Sequence, residues 1–195
     1  NLFSNDDYNN VSIPPRAIDD EDYLRGDPNA DIVLFEYCDF FSPFCKDFHE
    51  TMSLAIEEYD DSEVAWVYRH FPLDSAFPLA SDAAESVECI VRIGDRDNFW
   101  DVAEYVYAQE MNDEEEMEDV FTSFVSENNL SSSKFEDCLD SGDGDSKVWK
   151  DHDEGVAIGV RGIPHTIFKF DDTYKVFGGS QPYETVKGTI NAILK

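Results

Sequence analysis

One stretch, residues 31–52, constrains the fold more than any other part of the chain. Residues 32–35 are all apolar and Tyr37 extends the run, which is typical of a β-strand buried on both faces. A turn signal follows at Asp39 and at Ser42-Pro43. Apolar residues then recur at helical spacing, at Phe48, Met52, Ala55, Ile56 and Tyr59. The stretch therefore predicts a buried strand that passes through a short turn into a helix.

The predicted helix carries Cys45 in its first turn. The positive end of a helix favours a thiolate over a thiol, and the pKa of a cysteine at such a position can fall to roughly 3.5–7.5. This arrangement is typical of reactive cysteines.

Charge is the unusual feature of the composition. The 195 residues include 44 acidic and 14 basic residues, for a net charge of −30, yet 42% of them are hydrophobic, as in a folded protein. Such a surface repels phosphates, so we exclude nucleic acid and anionic membranes as partners. Two interpretations of the acidity apply. It is either an adaptation to high salt or a feature that increases solubility in one lineage, and composition does not distinguish between them.

The periodicity changes twice along the chain. A second buried strand is predicted at residues 64–68, helical spacing from about residue 76 to residue 157, a hairpin at residues 166–170 and 173–177, and a final helix. We predict an N-terminal tether at residues 1–26, an α/β domain at 27–74 and 156–195, and an all-helical insertion at 75–155. No apolar run approaches the roughly 18 residues of a membrane span. We expect any export signal or anchor to lie in a removed N-terminal segment.

Two distant motifs resemble the DsbA family of thiol-disulfide oxidoreductases. Residues 39–49, D-F-F-S-P-F-C-K-D-F-H, are similar to the D-F-x-C-P-x-C segment of that family, and G-I-P at residues 162–164 is similar to its G-x-P loop. Residues 68–73 and the segment around Cys138 also resemble the family. The resemblance implies a thioredoxin-like α/β fold with an inserted all-helical subdomain.

The resemblance also implies a site. Cys45 and Ser42 occupy the two catalytic positions, and Pro43, Phe44, Ile163 and Pro164 are expected to contact substrate, with Pro164 as a cis-proline facing the site. The implied partners are thiols and disulfides of substrate proteins, together with a membrane or soluble redox partner. No cofactor is expected.

The family often has a cysteine pair in its helical insertion, which implies a structural disulfide between Cys89 and Cys138. Two buried free thiols are the alternative. A structural disulfide points to an oxidising, extracytoplasmic compartment.

Ser42 stands where the family has its nucleophilic cysteine. A hydroxyl cannot form a disulfide, so dithiol exchange through this position is chemically excluded. The resemblance therefore implies a thiol-disulfide oxidoreductase of protein substrates, and we expect this chain to be inactive in dithiol exchange. Ser42 is either an engineered replacement, or a natural residue in a lineage that lost the activity or moved it to Cys38 and Cys45, or itself functional. Kappa-class glutathione transferases, in which Ser-Pro holds a glutathione thiolate, illustrate the last account. A peptide-binding module without redox activity is a further alternative.

Cys38 precedes Ser42 by four residues, and two interpretations apply to it. We favour a buried, inert thiol. The alternative is a displaced redox pair with Cys45, which requires the two Cα atoms to lie within about 7 Å. The chain has no C-x-x-C pair and its four histidines are scattered, so we expect no metal site. We expect His49 and His70 to be structural hydrogen-bonding groups.

Overall fold

The computed structural model describes residues 13–195. Its single sheet has the strand order β1-β3-β2-β4-β5, in which β2 and β3 are parallel and the other neighbours are antiparallel. The strands are β1 (Tyr23–Arg25), β2 (Ile32–Cys38), β3 (Val64–His70), β4 (His165–Phe170) and β5 (Thr173–Gly178).

Among residues 13–195, five of the seven α-helices lie between β3 and β4 in the chain, as the change in periodicity predicts. Helix α1 (Pro43–Ile56) follows β2, and α7 (Tyr183–Ile193) ends the fold. The inserted helices are α2 (Ala80–Ile93), α3 (Phe99–Ala108), α4 (Glu114–Glu127), α5 (Ser132–Ser141) and α6 (Asp145–Ile158). Within residues 13–195, none of these helices is both long and apolar enough to cross a bilayer.

Strands β2 and β3 form the centre of the molecule, and every residue in both is buried. Successive side chains of these strands point to opposite faces of the sheet, and they contribute to two apolar clusters, one on each face. The larger cluster includes Cys45 and Phe48 of α1 and most of the apolar residues of the insertion. This packing fixes the start of α1 against the end of β2.

The N-terminal boundary differs from the prediction. Residues 23–25 were assigned to a tether, but they pair with β3 as an edge strand, and Tyr23 stacks on Phe99 at a centroid distance of 3.6 Å. A three-residue strand is too short to show a period-2 pattern, so periodicity could not detect it. The predicted tether at residues 1–12 lies outside the described residues.

A buried ionic cluster holds residues 16–22 against the sheet and the insertion. Arg69 of β3 is fully buried and donates two hydrogen bonds of 3.0 Å to Asp22. Arg16 also donates to Asp22, at 2.8 Å, and to Asp151 of α6, at 2.7 Å. Breaking one partner of such a cluster leaves a buried charge uncompensated, so the segment is fixed rather than loosely attached.

Candidate functional site

The turn from β2 into α1 is closed by side-chain caps. The Oγ of Ser42 accepts the Cys45 backbone N–H at 3.3 Å, so Ser42 is the N-cap of α1, and Pro43 occupies the first helical position. One carboxylate oxygen of Asp39 accepts the backbone N–H groups of Phe41 and Ser42, at 2.9 and 2.8 Å. The caps place Cys45 in the first turn of the helix, as the sequence predicts.

Cys38 and Cys45 are joined by a disulfide, and their Cα atoms lie 5.8 Å apart. The favoured interpretation of Cys38 as an inert thiol is therefore wrong, although its burial is as expected. Both cysteines have 0% exposure. The turn after β2 folds back on the strand, which brings the last residue of β2 against the first turn of α1. The alternative interpretation, a Cys38–Cys45 pair, meets its distance requirement of about 7 Å, although a seven-residue spacing matches no short cysteine motif.

The segment around Pro164 continues the β2–β4 register toward Cys38. Tyr37 pairs with His165, so one further step along the same antiparallel register places Pro164 opposite Cys38. The Ile163–Pro164 peptide bond is cis, and the Pro164 carbonyl accepts the Gly179 N–H at 2.8 Å. Ile163 is half-buried and contacts both apolar clusters.

Of the residues inside the motif, Pro43 is exposed and Phe44 is 60% exposed. A surface pocket of about 340 Å³ lies beside Ser42, Pro43 and Lys46, and its far wall is Tyr107 with residues 109–112. The structure thus brings together Ser42, Cys45, Cys38 and the Pro164 segment and leaves Phe44 facing solvent.

Two buried acids lie beside the cysteine pair: Glu36, which was not predicted as part of the site, and Asp39, which was predicted only as part of the turn. Glu36 precedes Cys38 by two residues on the same face of β2, and burial raises its pKa to about 8, although it accepts the indole N–H of Trp66 at 2.7 Å. Burial also raises the pKa of Asp39, to about 6. Three hydrogen bonds from backbone N–H groups lower this pKa, but the effect of burial is larger. The available signal for Glu36 was an acidic residue within an otherwise apolar strand.

The two histidines have different environments. His70 is fully buried and its Nε2 lies 2.7 Å from a carboxylate oxygen of Glu88, so it is a structural hydrogen-bonding group as predicted. His49 is 2% exposed, and neither ring nitrogen has a hydrogen-bond partner among residues 13–195. The same prediction for His49 is therefore wrong.

A second disulfide joins Cys89 of α2 to Cys138 of α5, the pair for which the resemblance implied a bond. Their Cα atoms lie 5.7 Å apart, and both residues are buried in the larger apolar cluster. This bond lies within the helical insertion and ties two of its helices together.

Comparisons with known proteins extend over nearly all of the described chain. A family model described as thioredoxin matches residues 19–192. The crystal structure of Wolbachia pipientis alpha-DsbA1 is similar with a TM-score of 0.74 and 22% identity, covering 88% of this chain and 90% of that chain. At that identity the likeness shows a shared fold, a thioredoxin fold with a helical insertion.

Two curated proteins match over shorter segments. "Na(+)/H(+) antiporter NhaA 1" of Mycolicibacterium gilvum is 35% identical over 96 residues, which are 49% of this chain and 15% of that protein. "Probable disulfide bond formation protein D" of Bacillus cereus is 30% identical over 146 residues, 71% of this chain and 66% of that protein. The chain therefore spans only a small part of the antiporter's length.

Proposed function

The chain belongs to the thioredoxin family, and we propose that it is a thiol-disulfide oxidoreductase that acts on protein substrates through Cys38 and Cys45. The observation that carries this proposal is the disulfide between these residues, with Pro164 opposite Cys38 in the sheet register. The pair provides the two sulfurs that Ser42 and Cys45 cannot provide together.

The position of Cys45 assigns the roles of the two sulfurs. A thiolate in the first turn of a helix is stabilised by the positive helix end, which makes Cys45 the better leaving group. A substrate thiolate attacks the Cys38 sulfur, the Cys38–Cys45 bond breaks, and Cys45 leaves as a thiolate. A second substrate thiolate then attacks the substrate sulfur and releases Cys38. The substrate ends as a disulfide, and the two electrons reside on the reduced cysteines.

Burial makes this exchange slow in the absence of movement. Both cysteines have 0% exposure, so the turn at residues 39–44 must move before a substrate sulfur reaches Cys38. An extended substrate segment beside Ile163 and Pro164 would then lie next to the opened bond. The pocket beside Lys46 offers further contact for such a segment.

Ser42 has a structural task in this proposal. Its oxygen caps the helix by accepting the Cys45 N–H, and the residue is 2% exposed. A serine that holds a glutathione thiolate must present its hydroxyl to the ligand, so this environment argues against the transferase alternative.

The two disulfides support an oxidising, extracytoplasmic location. After each turnover, a membrane or soluble redox partner with a disulfide of its own would reoxidise Cys38 and Cys45. The substrates are protein thiols, and the net charge of −30 disfavours strongly acidic ones.

The proposal is tested by measuring the oxidation of a peptide with two thiols by the purified protein at neutral pH. We expect the wild type to exceed the uncatalysed rate, and we expect Cys38→Ser and Cys45→Ser each to lower the protein-catalysed rate by at least about tenfold. The double variant Cys89→Ala/Cys138→Ala is the matched control and should retain the activity if folded.

A wild-type rate equal to the uncatalysed rate, or a Cys38→Ser variant as active as the wild type, contradicts the proposal. An inactive protein that still binds the peptide would support the binding module, and an inactive protein that binds glutathione would support the transferase alternative.

A further inference from the structure

His49 is a buried polar residue, and its ring nitrogens form no hydrogen bond with the residues that the structure describes. It is 2% exposed, and its Nδ1 and Nε2 both lack hydrogen-bond partners among residues 13–195. An unsatisfied buried nitrogen destabilises a fold, and an apolar side chain would fill the same space without that penalty. We therefore expect the imidazole to take part in proton transfer rather than only in packing.

Aromatic rings hold the imidazole in place. The ring centroid of His49 lies 5.0 Å from that of Trp66, 6.2 Å from that of Trp100 and 4.8 Å from that of Tyr107. These contacts fix the ring without occupying its nitrogens. They also exclude bulk water from it.

The reactive sulfur lies one helical turn away. His49 follows Cys45 by four residues on α1, and both belong to the buried face of the helix. Residues at this spacing are neighbours on a helix surface, with Cβ atoms about 5–6 Å apart. Neither ring nitrogen is hydrogen-bonded to the Cys45 sulfur while the disulfide is intact, and at this spacing one water molecule can relay a proton between them.

The surrounding groups leave His49 neutral while the disulfide is intact. Burial and the nearby positive charge of Arg25 lower its pKa to about 3. Arg25 of β1 and Tyr107 of α3 are charged or titratable groups near the His49 ring, and Cys45 lies one turn before it on α1. Glu36 of β2, Asp39 of the turn and Tyr68 of β3 lie one step further away, beside Tyr107. Among them, the sulfur of Cys45 is the group that acquires a negative charge when the disulfide is reduced.

We propose that His49 is the base of the reduced site, where it accepts the proton of the Cys45 thiol. This inference rests on the proposed function. The S–H bond of Cys45 breaks, its proton binds an imidazole nitrogen, and an imidazolium–thiolate pair forms. During reoxidation the thiolate attacks a disulfide of the redox partner, and Cys38 then displaces the partner to re-form the Cys38–Cys45 bond. The first thiolate that leaves the partner receives the proton from His49, and the second receives the proton that Cys38 loses as it attacks.

The pair explains how a charge is accommodated in this apolar region. A lone imidazolium beside Arg25 is disfavoured, and a lone thiolate in the core is disfavoured as well. Each stabilises the other, so His49 should become protonated only after reduction. The redox state of the cysteines thereby controls the charge of a residue one turn away.

Nitrogen-15 NMR of the wild-type imidazoles tests this without any substitution in the measured protein. The His49 signal is assigned by its absence in His49→Gln, and spectra are recorded from about pH 5 to about pH 8, across the range in which an ordinary histidine titrates, before and after reduction with dithiothreitol. We expect a neutral ring in the oxidised protein and an imidazolium near neutral pH in the reduced protein. A ring that stays neutral in both states would overturn the proposal.

The alkylation rate of Cys45 in the reduced protein gives a second readout. We expect His49→Gln to move the midpoint of the pH–rate profile upward by about one unit, which lowers the rate near neutral pH about tenfold. His152→Gln removes a histidine outside the site and should leave the profile unchanged. An unchanged profile in His49→Gln would mean that the helix end alone activates the thiol.

These results separate the two proposals, because neither measurement requires turnover. A redox-dependent imidazolium in a protein that does not oxidise dithiol peptides would overturn the proposed function alone. A neutral His49 in an active protein would overturn this inference alone.

Discussion

Glu36 shows at the scale of one residue how the site differs from the surrounding core. It lies within the fully buried strand β2, and one of its carboxylate oxygens accepts the Trp66 indole N–H at 2.7 Å. The other oxygen has no hydrogen-bond partner within residues 13–195. Burial raises its pKa to about 8, so the side chain is an uncharged acid at neutral pH. It can therefore lie two residues from Cys38 without adding a negative charge to the site.

This burial predicts a pH-dependent effect of the Glu36→Gln substitution. Glu36 ionises near pH 4.5 in the unfolded chain but keeps its proton up to about pH 8 in the folded protein. Raising the pH through this window therefore favours unfolding, because only the unfolded chain releases the proton. The free energy of unfolding of Glu36→Gln, relative to wild type, should rise by about 2–5 kcal/mol between pH 4.5 and pH 8 and then level off.

Urea unfolding at several pH values, from about pH 4 to about pH 9, measures this difference on both sides of the window. Glu50→Gln, on the exposed face of α1, controls for the loss of one negative charge. A Glu36→Gln difference that is the same at every pH would show that the carboxyl group ionises alike in both states.

At the scale of elements, the second disulfide stabilises the insertion. It connects α2 to α5 across 49 residues, in a block of helices that packs on the sheet through α3 and α6. Closing a loop of this length reduces the entropy of the unfolded chain. The bond should therefore contribute to stability without taking part in exchange.

We expect Cys89→Ala/Cys138→Ala to lower the free energy of unfolding by about 4 kcal/mol on the chain-entropy model. Denaturant unfolding under non-reducing conditions measures the change, and far-ultraviolet circular dichroism checks that the helices persist. Cys38→Ala/Cys45→Ala removes a bond between residues only seven positions apart and should cost less. An equal decrease in the free energy of unfolding for the two double variants would contradict the stabilising role of the Cys89–Cys138 bond.

Most elements were predictable because their patterns are long. The seven-residue strands β2 and β3, the helical period of the insertion and the final hairpin all carry enough residues to show their period. Strand β1 does not, since three residues show no alternation. Its place in the sheet depends on pairing with β3, which is a property of the folded chain.

The site was predictable in part, for a similar reason. Cys45 at a helix start and the G-I-P segment are local patterns: Cys45 lies in the first turn of α1, and the G-I-P segment directly precedes β4. The bond between Cys38 and Cys45 and the unpartnered nitrogens of His49 depend on how the turn and the core pack. No pattern of neighbouring residues encodes those distances.

At the scale of the whole molecule, the site lies at the junction of three parts of the chain. The end of β2 supplies Cys38, the start of α1 supplies Cys45, and the segment before β4 supplies Pro164 from beyond the insertion. The ionic cluster of Arg16, Asp22, Arg69 and Asp151 fixes the N-terminal segment behind this junction. The fold therefore holds the cysteine pair from several sides, which explains why substrate access requires movement of the turn.

The most direct test of the account is a redox titration of the native protein. The protein is equilibrated in buffers of increasing reduced-to-oxidised glutathione ratio, its free thiols are alkylated, and each cysteine is scored by peptide mass mapping. The account predicts that Cys38 and Cys45 become alkylated together in one reversible two-electron transition, and that oxidised glutathione restores the bond. Free, independently alkylated Cys38 and Cys45 in protein isolated without reductant would contradict it.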